Sequence, residues 1–351
     1  MADERRVVQG RGAVTNPPNR FERLVYESDP DSEPDDSTPR TMYYRDPTRT
    51  ILAKNDSPDV GFERSINPYR GCEHGCVYCF ARPSHEYLGF SAGLDFETRI
   101  LVKDNAPALL REELSAPSWK PQAVAISGVT DPYQPIERKL EITRGCLGVL
   151  TEFRNPFFIL TKNALVTRDA DILAEAAAHD AAAVFFSVTT LDGELARIME
   201  PRTSQPALKL EAIRTLTAAG VPTGVMVGPV IPGLTDHEIP AIIAAATAAG
   251  AQYAGYVMLR LPWAVAGIFE AWLDEHFPDR KEKVLNRVRE MRDGKMYDSR
   301  WKIRQRGEGI FADQVKTLFT IAARKSGIEG RSPELSVAAF RKPRGPQLAL
   351  F

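Results

Sequence analysis

Three closely spaced cysteines constrain what this chain can fold into more than any other feature. Cys72, Cys76 and Cys79 stand in a Cys-x3-Cys-x2-Cys spacing, and Cys146 is the last of the 4 cysteines in the 351 residues. Cysteines this close together do not staple a chain of this length, so a disulfide framework is not expected. The spacing instead favours metal-binding or catalytic thiols in a reducing, cytoplasmic compartment.

The loop that carries these cysteines predicts an iron–sulfur cluster. Gly71 and Gly75 give the loop the conformational freedom to wrap around a metal centre. Clusters are usually held by four thiolates, but Cys146 lies far along the chain within a predicted helix. Three thiolates would leave one iron of a cubane cluster without a protein ligand. The alternative is a zinc site closed by His74, which is awkward because His74 lies between two of the cysteines.

From about residue 123 the sequence alternates short apolar runs with longer amphipathic stretches, a pattern that predicts strands and helices in turn. The predicted strands are Ala123–Ser127, Pro156–Thr161, Ala183–Thr189, Thr223–Val227 and Tyr253–Leu259. The predicted helices between them are Leu140–Phe153, Asp169–His179, Ala207–Ala219 and Asp236–Ala249. A first unit is expected upstream, with a strand just before or around Asn67–Arg70 and a helix near Pro107–Leu114.

Apolar strands that alternate with helices predict an α/β fold with a parallel sheet covered by helices. Five or six such units favour a complete or incomplete (β/α) barrel over a doubly wound sheet. In such barrels the chemistry lies on the loops that follow the strands. We therefore expect the barrel core to span residues 46–261, with the functional residues after its strands.

The two ends of the chain differ from this core. The segment 27–36 is acidic and broken by prolines, so residues 1–45 are predicted to be a disordered tail or linker. Residues 262–340 are predicted to form a helical C-terminal extension, followed by a tail over 341–351. The helices expected in the extension are Gly267–Phe277, Lys281–Met291 and Asp313–Lys325.

The composition excludes several classes of protein as a first interpretation. A net charge of -1 with 43% hydrophobic residues is ordinary for a globular domain with a large core. No apolar run reaches the roughly 18 residues that a membrane span needs. The N-terminal sequence has no apolar region of the kind found in secretory signals. A membrane-bound, secreted or fibrous protein is therefore not expected.

The cysteine spacing, with an aromatic residue before the third cysteine, resembles the radical S-adenosylmethionine (SAM) superfamily. The segments Asn67–Cys72, Tyr78–Pro83 and Thr130–Pro135 resemble its spore photoproduct lyase-like branch, and more narrowly a bacterial group of DNA-repair-photolyase-like proteins. The resemblance covers roughly residues 45–325. It implies a partial (β/α)6 TIM-like barrel, a 4Fe–4S cluster on the three cysteines, and SAM bound to the open iron. It also implies an enzyme that cleaves SAM reductively to a 5′-deoxyadenosyl radical, which abstracts hydrogen from a substrate.

The resemblance also implies which residues meet SAM. Tyr78, the aromatic before the third cysteine, would lie near the adenine, with simple packing beside the cluster as its alternative role. The family's glycine-containing motif maps to residues 127–131, which include Gly128, Thr130 and Asp131. Asp131 would pair with the SAM ammonium, unless it caps an Asp-Pro turn.

Further candidates follow the fourth and fifth predicted strands. Ser187 and Thr189 could offer hydroxyls to the SAM carboxylate or ribose, or they could cap a helix. Arg202 could form a bidentate pair with a carboxylate, or a surface salt bridge. Pro229 lies in an apolar turn at the place where the family packs the adenine, although a plain strand-to-turn transition explains this composition equally well.

The sequence constrains the substrate least. The branch implies DNA or RNA as substrate and an external one-electron donor of the flavodoxin or ferredoxin type. Residues 280–306 hold 11 Lys/Arg against 4 Asp/Glu and include Tyr297 and Trp301, so they could bind phosphates and stack a base. A solvated helical face is the alternative interpretation of this basic stretch.

Two other functions remain open at this point: a module that binds zinc or a cluster without SAM turnover, and a tRNA-associated RNA-modifying enzyme. A cysteine donates hydrogen to the substrate radical in lyases of the spore photoproduct type. Cys146 is instead expected to be a buried structural thiol.

Overall fold

The protein is described from a computed structural model, which covers residues 9–22, 39–328, 330 and 332–343. The strands are β1 Met42–Arg45, β2 Leu52–Lys54, β3 Arg64–Ile66, β4 Tyr69–Arg70, β5 Arg99–Val102, β6 Val124–Ile126, β7 Phe157–Thr161, β8 Ala182–Val188, β9 Thr223–Val230 and β10 Tyr253–Met258. The α-helices are α1 Leu94–Thr98, α2 Ala106–Ser115, α3 Glu137–Leu140, α4 Ile142–Phe153, α5 Ala170–Ala177, α6 Gly193–Met199, α7 Pro206–Ala218, α8 Ile239–Ala248, α9 Ala264–His276, α10 Pro278–Glu290, α11 Ile303–Arg306 and α12 Ile310–Lys325. Segments of 3-10 helix cover Arg82–Leu88, Ala164–Asp169 and Asp236–Glu238.

The main sheet confirms the predicted α/β architecture with parallel strands. Its order is β10-β9-β8-β7-β6-β3-β2, in which β2 alone runs antiparallel to its neighbour β3. The parallel strands follow one another in chain order without a reversal, unlike the strands of a doubly wound sheet. Every residue of β8 is buried, as expected for a central strand that is covered on both faces.

The structure refines two of the predicted elements. The first strand of the main sheet is β3, Arg64–Ile66, just before Asn67–Arg70 as predicted, whereas Tyr69–Arg70 forms β4 in a small sheet of order β1-β5-β4. The predicted helix Leu140–Phe153 corresponds to α4, which begins only at Ile142 because Glu141 takes a left-handed conformation with φ 52 between α3 and α4.

The predicted disordered tail over 1–45 is wrong for the parts of it that the structure describes. Met42–Arg45 pairs in parallel with β5. Arg11 is buried, and its guanidinium donates to the carbonyls of Glu97 at 2.9 Å and Pro39 at 2.8 Å. These contacts join residues that are more than 25 positions apart in the sequence, so they produce no local pattern from which they could be predicted. The acidic segment 27–36 and residues 344–351 of the predicted C-terminal tail lie outside the described residues.

The C-terminal helices pack on two parts of the core. Helices α9 and α10 share a buried apolar cluster with Cys76, Val77 and Tyr78 of the cysteine loop. Helix α12 contributes residues such as Val315 to the cluster that surrounds the main sheet. Of the helices in the described ranges, none has the length and hydropathy needed to cross a membrane.

Candidate active site

The three cysteines share one loop, between β4 and the 3-10 helix Arg82–Leu88. All three are free, Cys72 and Cys76 are buried, and Cys79 is partly exposed. Burial raises the pKa of each thiol, and the charges of Cys76 and Cys79 raise the pKa of Cys72 further. The thiols therefore lie close enough together to interact electrostatically.

A fully buried ion pair fixes the backbone of this loop. The guanidinium of Arg82 donates to the carbonyl of Cys76 at 2.9 Å and to that of Gly75 at 3.3 Å. Its charge is paired with Glu97, whose carboxylate also accepts from the backbone N–H of Gly12 at 3.0 Å. Such additional hydrogen bonds offset the cost of removing both charges from water. The pair thus joins the N-terminal segment to the cysteine loop.

The geometry argues against the zinc alternative. The two ring nitrogens of His74 face other groups, with Nδ1 3.4 Å from Asp131 Oδ2 and Nε2 3.1 Å from Asn163 Nδ2. Among the residues that the structure describes, no three His, Cys, Asp or Glu side chains are grouped so that they could hold a single metal ion. A Cys3His site would need its ligands about 2.0–2.3 Å from one zinc.

The donor set fits a 4Fe–4S cluster instead. Each thiolate of such a cluster binds a separate iron, so the sulfurs need not converge on one point. Three free thiols on one loop supply three such ligands. Cys146 is fully buried in helix α4, where the charges of Glu137 and Lys103 act on it. This is the environment of a structural thiol rather than of a fourth ligand.

Two residues that follow β6 brace the cysteine loop. The hydroxyl of Thr130 donates to the carbonyl of Gly71 at 2.6 Å, immediately before the first cysteine. The side-chain oxygen of Gln134 accepts from the backbone N–H of Glu73 at 3.0 Å, immediately after it. Gly128 is exposed and has φ +152, in the region that favours glycine. Thr130 therefore holds the loop, while Gly128 stays open to solvent.

Both carboxylate oxygens of Asp131 have partners within the protein. Oδ1 accepts from the backbone N–H of Tyr133 at 2.8 Å, the bond of an Asp turn, and from the hydroxyl of Thr161 at 2.7 Å. Oδ2 accepts from the backbone N–H of Lys162 at 2.8 Å and faces His74. Burial alone would raise the pKa of Asp131, but His74 and the N–H donors outweigh it and the pKa is lowered. These contacts favour the turn-capping role over an ammonium partner.

A buried polar network surrounds the hydroxyl of Tyr78. This hydroxyl bonds to the Glu200 carboxylate and lies 3.1 Å from the hydroxyl of Thr189. Glu200 is paired with Lys209 at 2.9 Å and with Lys162 at 3.2 Å. Burial would raise the pKa of Glu200, but the two lysines lower it below its usual range. Tyr78 is therefore held in place by a carboxylate whose charged form the two lysines favour.

Lys162 brings together the ends of three strands. It follows β7, and its Nζ donates to Ser187 Oγ of β8 at 2.8 Å and to the carbonyl of Gly228 in β9 at 3.1 Å. The hydroxyls of Ser187 and Thr189 also donate to this carbonyl, each at 2.8 Å. The peptide bond from Gly228 to Pro229 is cis. Three predicted site residues, Ser187, Thr189 and Pro229, thus meet around a cation that the sequence analysis missed.

Arg202 meets a carboxylate of the protein itself. Its Nη1 lies 3.3 Å from Glu73 Oε2, and its backbone N–H donates to the carbonyl of His74 at 3.3 Å. Glu73 also accepts from the hydroxyls of Thr41 and Tyr43, both at 3.0 Å. This arrangement favours an ion pair that supports the cysteine loop over a contact with a ligand.

The sequence analysis missed several residues of the site, among them Arg82, Lys162, Glu200 and Lys209. The position of Lys162, directly after a predicted strand, was a usable signal, because functional residues follow strands in this architecture. Glu200 and Lys209 gave no such signal, because their pairing depends on how two helices pack.

Comparisons with known proteins identify the family to which the cysteine loop and the following strands belong. The sequence profile described as the Radical SAM superfamily matches residues 66–246. An uncharacterized protein of Mycobacterium tuberculosis is 40% identical over 232 residues, covering 66% of this chain and 67% of that protein. An uncharacterized protein of Methanocaldococcus jannaschii is 26% identical over 234 residues, covering 67% of this chain and 84% of that protein.

Solved structures of spore photoproduct lyase share the fold. One mutant superposes with a TM-score of 0.60 at 16% sequence identity, covering 84% of this chain and 82% of its own. Another, with bound AdoMet and dinucleoside spore photoproduct, has a TM-score of 0.50 at 17% identity and covers 66% of each chain. With the profile match over the cysteine loop and the strands that follow it, these findings show that the chain belongs to the radical SAM superfamily.

Proposed function

We propose that this protein is a radical SAM enzyme in which Cys72, Cys76 and Cys79 hold a 4Fe–4S cluster and SAM occupies the remaining iron. The observation that carries the proposal is a set of three free thiols on one braced loop, with the fourth cysteine buried elsewhere in a helix. When bound, the cluster supplies the electron that splits SAM into methionine and a 5′-deoxyadenosyl radical, which abstracts hydrogen from a substrate. We further propose that the parallel sheet curls into the partial (β/α)6 barrel of the superfamily.

The polar residues at the strand ends would bind and orient SAM. Lys162 carries a positive charge at the ends of three strands, and its side chain keeps 14% exposure. To pair with the carboxylate of SAM, its ammonium would exchange one of its present partners, such as Ser187 or the Gly228 carbonyl, for the ligand. Ser187, Thr189 and Pro229 lie around it and would line the same site. Gly128, which is exposed after β6, leaves room for the close approach of a ligand.

The other residues predicted to meet SAM would instead support the cysteine loop. Thr130, Asp131 and Arg202 bond to the residues between and beside the cysteines, so they would position the cluster rather than touch SAM. Tyr78, fixed by Glu200, would pack beside the cluster. A buried, braced loop also keeps water from the reacting groups.

Nucleic acid is the substrate class that we propose, together with a cytoplasmic location and a flavodoxin- or ferredoxin-like donor of one electron. One structural neighbour is a spore photoproduct lyase with a bound dinucleoside spore photoproduct. The basic stretch 280–306 gives this little support, because Lys281, Arg287, Arg300 and Arg304 are paired with carboxylates. This pairing favours the alternative interpretation of residues 280–306, a solvated surface whose basic side chains are neutralised by carboxylates of the protein itself.

Anaerobic reconstitution with iron and sulfide tests the proposal. The reduced protein should bind about four irons and convert SAM to 5′-deoxyadenosine, measured by mass spectrometry. Replacing Cys76 by alanine should abolish both, whereas replacing Cys146 by alanine should leave both intact. Full iron content without any 5′-deoxyadenosine would favour an electron-transfer module, and about one zinc per chain without visible absorbance would favour a zinc module.

A further inference from the structure

A continuous row of aromatic rings and arginines runs from the N-terminal segment towards the cysteine loop. The ring centroids of Phe21 and Tyr87 are 5.0 Å apart, and the guanidinium carbon of Arg20 lies 4.6 Å from the Phe21 centroid and 4.1 Å from that of Trp263. The Trp263 and Tyr297 centroids are 5.9 Å apart. We call this row, with Phe80, the aromatic ridge: Phe21, Tyr87, Trp263, Tyr297 and Phe80.

Arg260 joins the ridge to the cluster-binding loop. Arg260 follows β10, and its guanidinium carbon lies 4.0 Å from the ring centroid of Phe80. Phe80 directly follows Cys79, and Arg260 interacts electrostatically with both Tyr297 and Cys79. The ridge therefore ends beside the third cluster cysteine.

Four of the five rings of the ridge are open to solvent, and Tyr297 is partly buried. The exposed fractions are 56% for Phe21, 72% for Tyr87, 59% for Trp263 and 46% for Phe80. Contiguous apolar exposure of this kind marks an interaction surface. Trp263 also has φ 47, a left-handed conformation that is costly for a bulky residue and is typically retained at functional sites.

The positive charge at the end of the ridge has no carboxylate partner among the described residues. In the described part of the chain, no carboxylate lies within ion-pairing distance of Arg260, and none is among the groups that chiefly set its pKa. Arg20, by contrast, is paired with Glu86 at 3.2 Å. Arg260 is thus a guanidinium available to an anion.

We propose that the aromatic ridge binds unpaired nucleic acid, with bases stacked on Trp263 and Phe80 and a phosphate on Arg260. This inference rests on the proposed function, for which it names the form of the substrate. Proteins bind single-stranded nucleic acid with exposed aromatic rings and cationic side chains, because every base can stack on a ring and every phosphodiester linkage carries a negative charge. A base at Phe80 would lie beside the loop where the radical chemistry is proposed.

Fluorescence anisotropy with the full chain tests the proposal. The probes are a labelled single-stranded oligonucleotide as DNA and as RNA, the same sequence as a duplex, and an abasic strand with the same phosphates. Wild-type protein should bind a single strand more tightly than the duplex or the abasic strand. Trp263→Leu should weaken binding roughly tenfold through lost stacking. Arg260→Gln should weaken it and reduce the slope of log affinity against log salt by about one.

Trp301→Leu is the matched control, since Trp301 is 49% exposed and lies in the basic stretch outside the ridge. It should bind as the wild type does. Loss of binding in Trp301→Leu alone, equal affinity for the abasic strand, or no binding by the wild type would each overturn the proposal. If Trp263→Leu does not fold, as judged by circular dichroism, Phe80→Leu repeats the stacking test.

Two further measurements separate strand binding from protein docking and from SAM cleavage. If Arg260→Gln slows reduction by a flavodoxin but leaves strand binding unchanged, the ridge is a protein-docking surface and the proposal fails. SAM cleavage by the same protein distinguishes this inference from the proposed function. Cleavage of SAM without binding of the single strand would refute this inference and leave the proposed function supported. Binding of the single strand without cleavage of SAM would support this inference and contradict the proposed function.

Discussion

At the scale of single residues, the buried Arg82–Glu97 pair explains how a loop of glycines and cysteines keeps one conformation. Both side chains are fully buried, and Arg82 also satisfies carbonyls within the cysteine loop. Removing one partner leaves an uncompensated buried charge, whereas an exposed pair contributes little. The conformation of the cysteine loop therefore depends on two residues that are not cysteines.

We expect Arg82→Met to lower the free energy of unfolding by about 3–5 kcal/mol and to reduce the iron retained after reconstitution. Arg197→Met, which breaks an exposed pair with Glu194, is the matched control and should cost less than about 1 kcal/mol. Denaturant unfolding and iron analysis measure both effects. Equal losses in the two variants would show that the buried pair has no special role.

His85 makes stability depend on pH. Burial lowers its pKa from 6.5 to about 4, and its Nε2 lies 2.8 Å from the carbonyl of Arg99. As the pH falls below 6.5, His85 becomes protonated in the unfolded chain, whereas in the folded protein it stays neutral down to about pH 4. The stability present above pH 6.5 should therefore fall by up to about 3 kcal/mol across this window. His85→Gln should flatten this part of the curve, and a slope identical to that of the wild type would contradict the assignment.

At the scale of elements, the N-terminal segment works as part of the site. A methyl group on Gly12 would lie 1.7 Å from the carbonyl oxygen of Gly75, between two of the cysteines. Gly12→Ala should therefore displace the segment and destabilise the protein by about 1–3 kcal/mol, measured by thermal and denaturant unfolding. Gly148→Ala in α4 is the control, because nothing lies within 4 Å and alanine favours a helix. Similar stability of the two variants would show that the segment is loosely placed.

The elements also show what the sequence could and could not predict. Strands β7 and β10 lie within one residue of their predicted ends, because apolar runs between turn residues determine buried parallel strands locally. The small sheet was missed, since β1 and β5 pair across more than fifty residues and each spans four. The three-cysteine loop could be identified because the spacing of its cysteines is local, whereas the Glu200 pairs could not be predicted because they arise from tertiary packing.

At the scale of the whole molecule, the C-terminal helices pack against the cysteine loop. Trp272 of α9 is fully buried in the apolar cluster that contains Cys76 and Tyr78, and its indole N–H donates to the carbonyl of Ile198 at 3.1 Å. The predicted C-terminal extension thus shares an apolar core with the cysteine loop.

Trp272→Ala should cost about 3–5 kcal/mol, because a large buried side chain leaves a cavity. It should also reduce cluster retention, measured as the visible absorbance that remains after gel filtration. Trp119→Ala, at a partly buried site on the other apolar cluster, is the control for general destabilisation. If Trp272→Ala lowers stability but retains the full cluster, the helices do not support the loop.

The central claim is that three cysteines leave one iron open for SAM. Electron–nuclear double resonance on the reduced, reconstituted protein tests it most directly, with SAM isotopically labelled in its amino and carboxylate groups. The account predicts magnetic coupling of both labelled groups to the cluster. The absence of both couplings, in protein with its full iron content and with SAM bound, would contradict it.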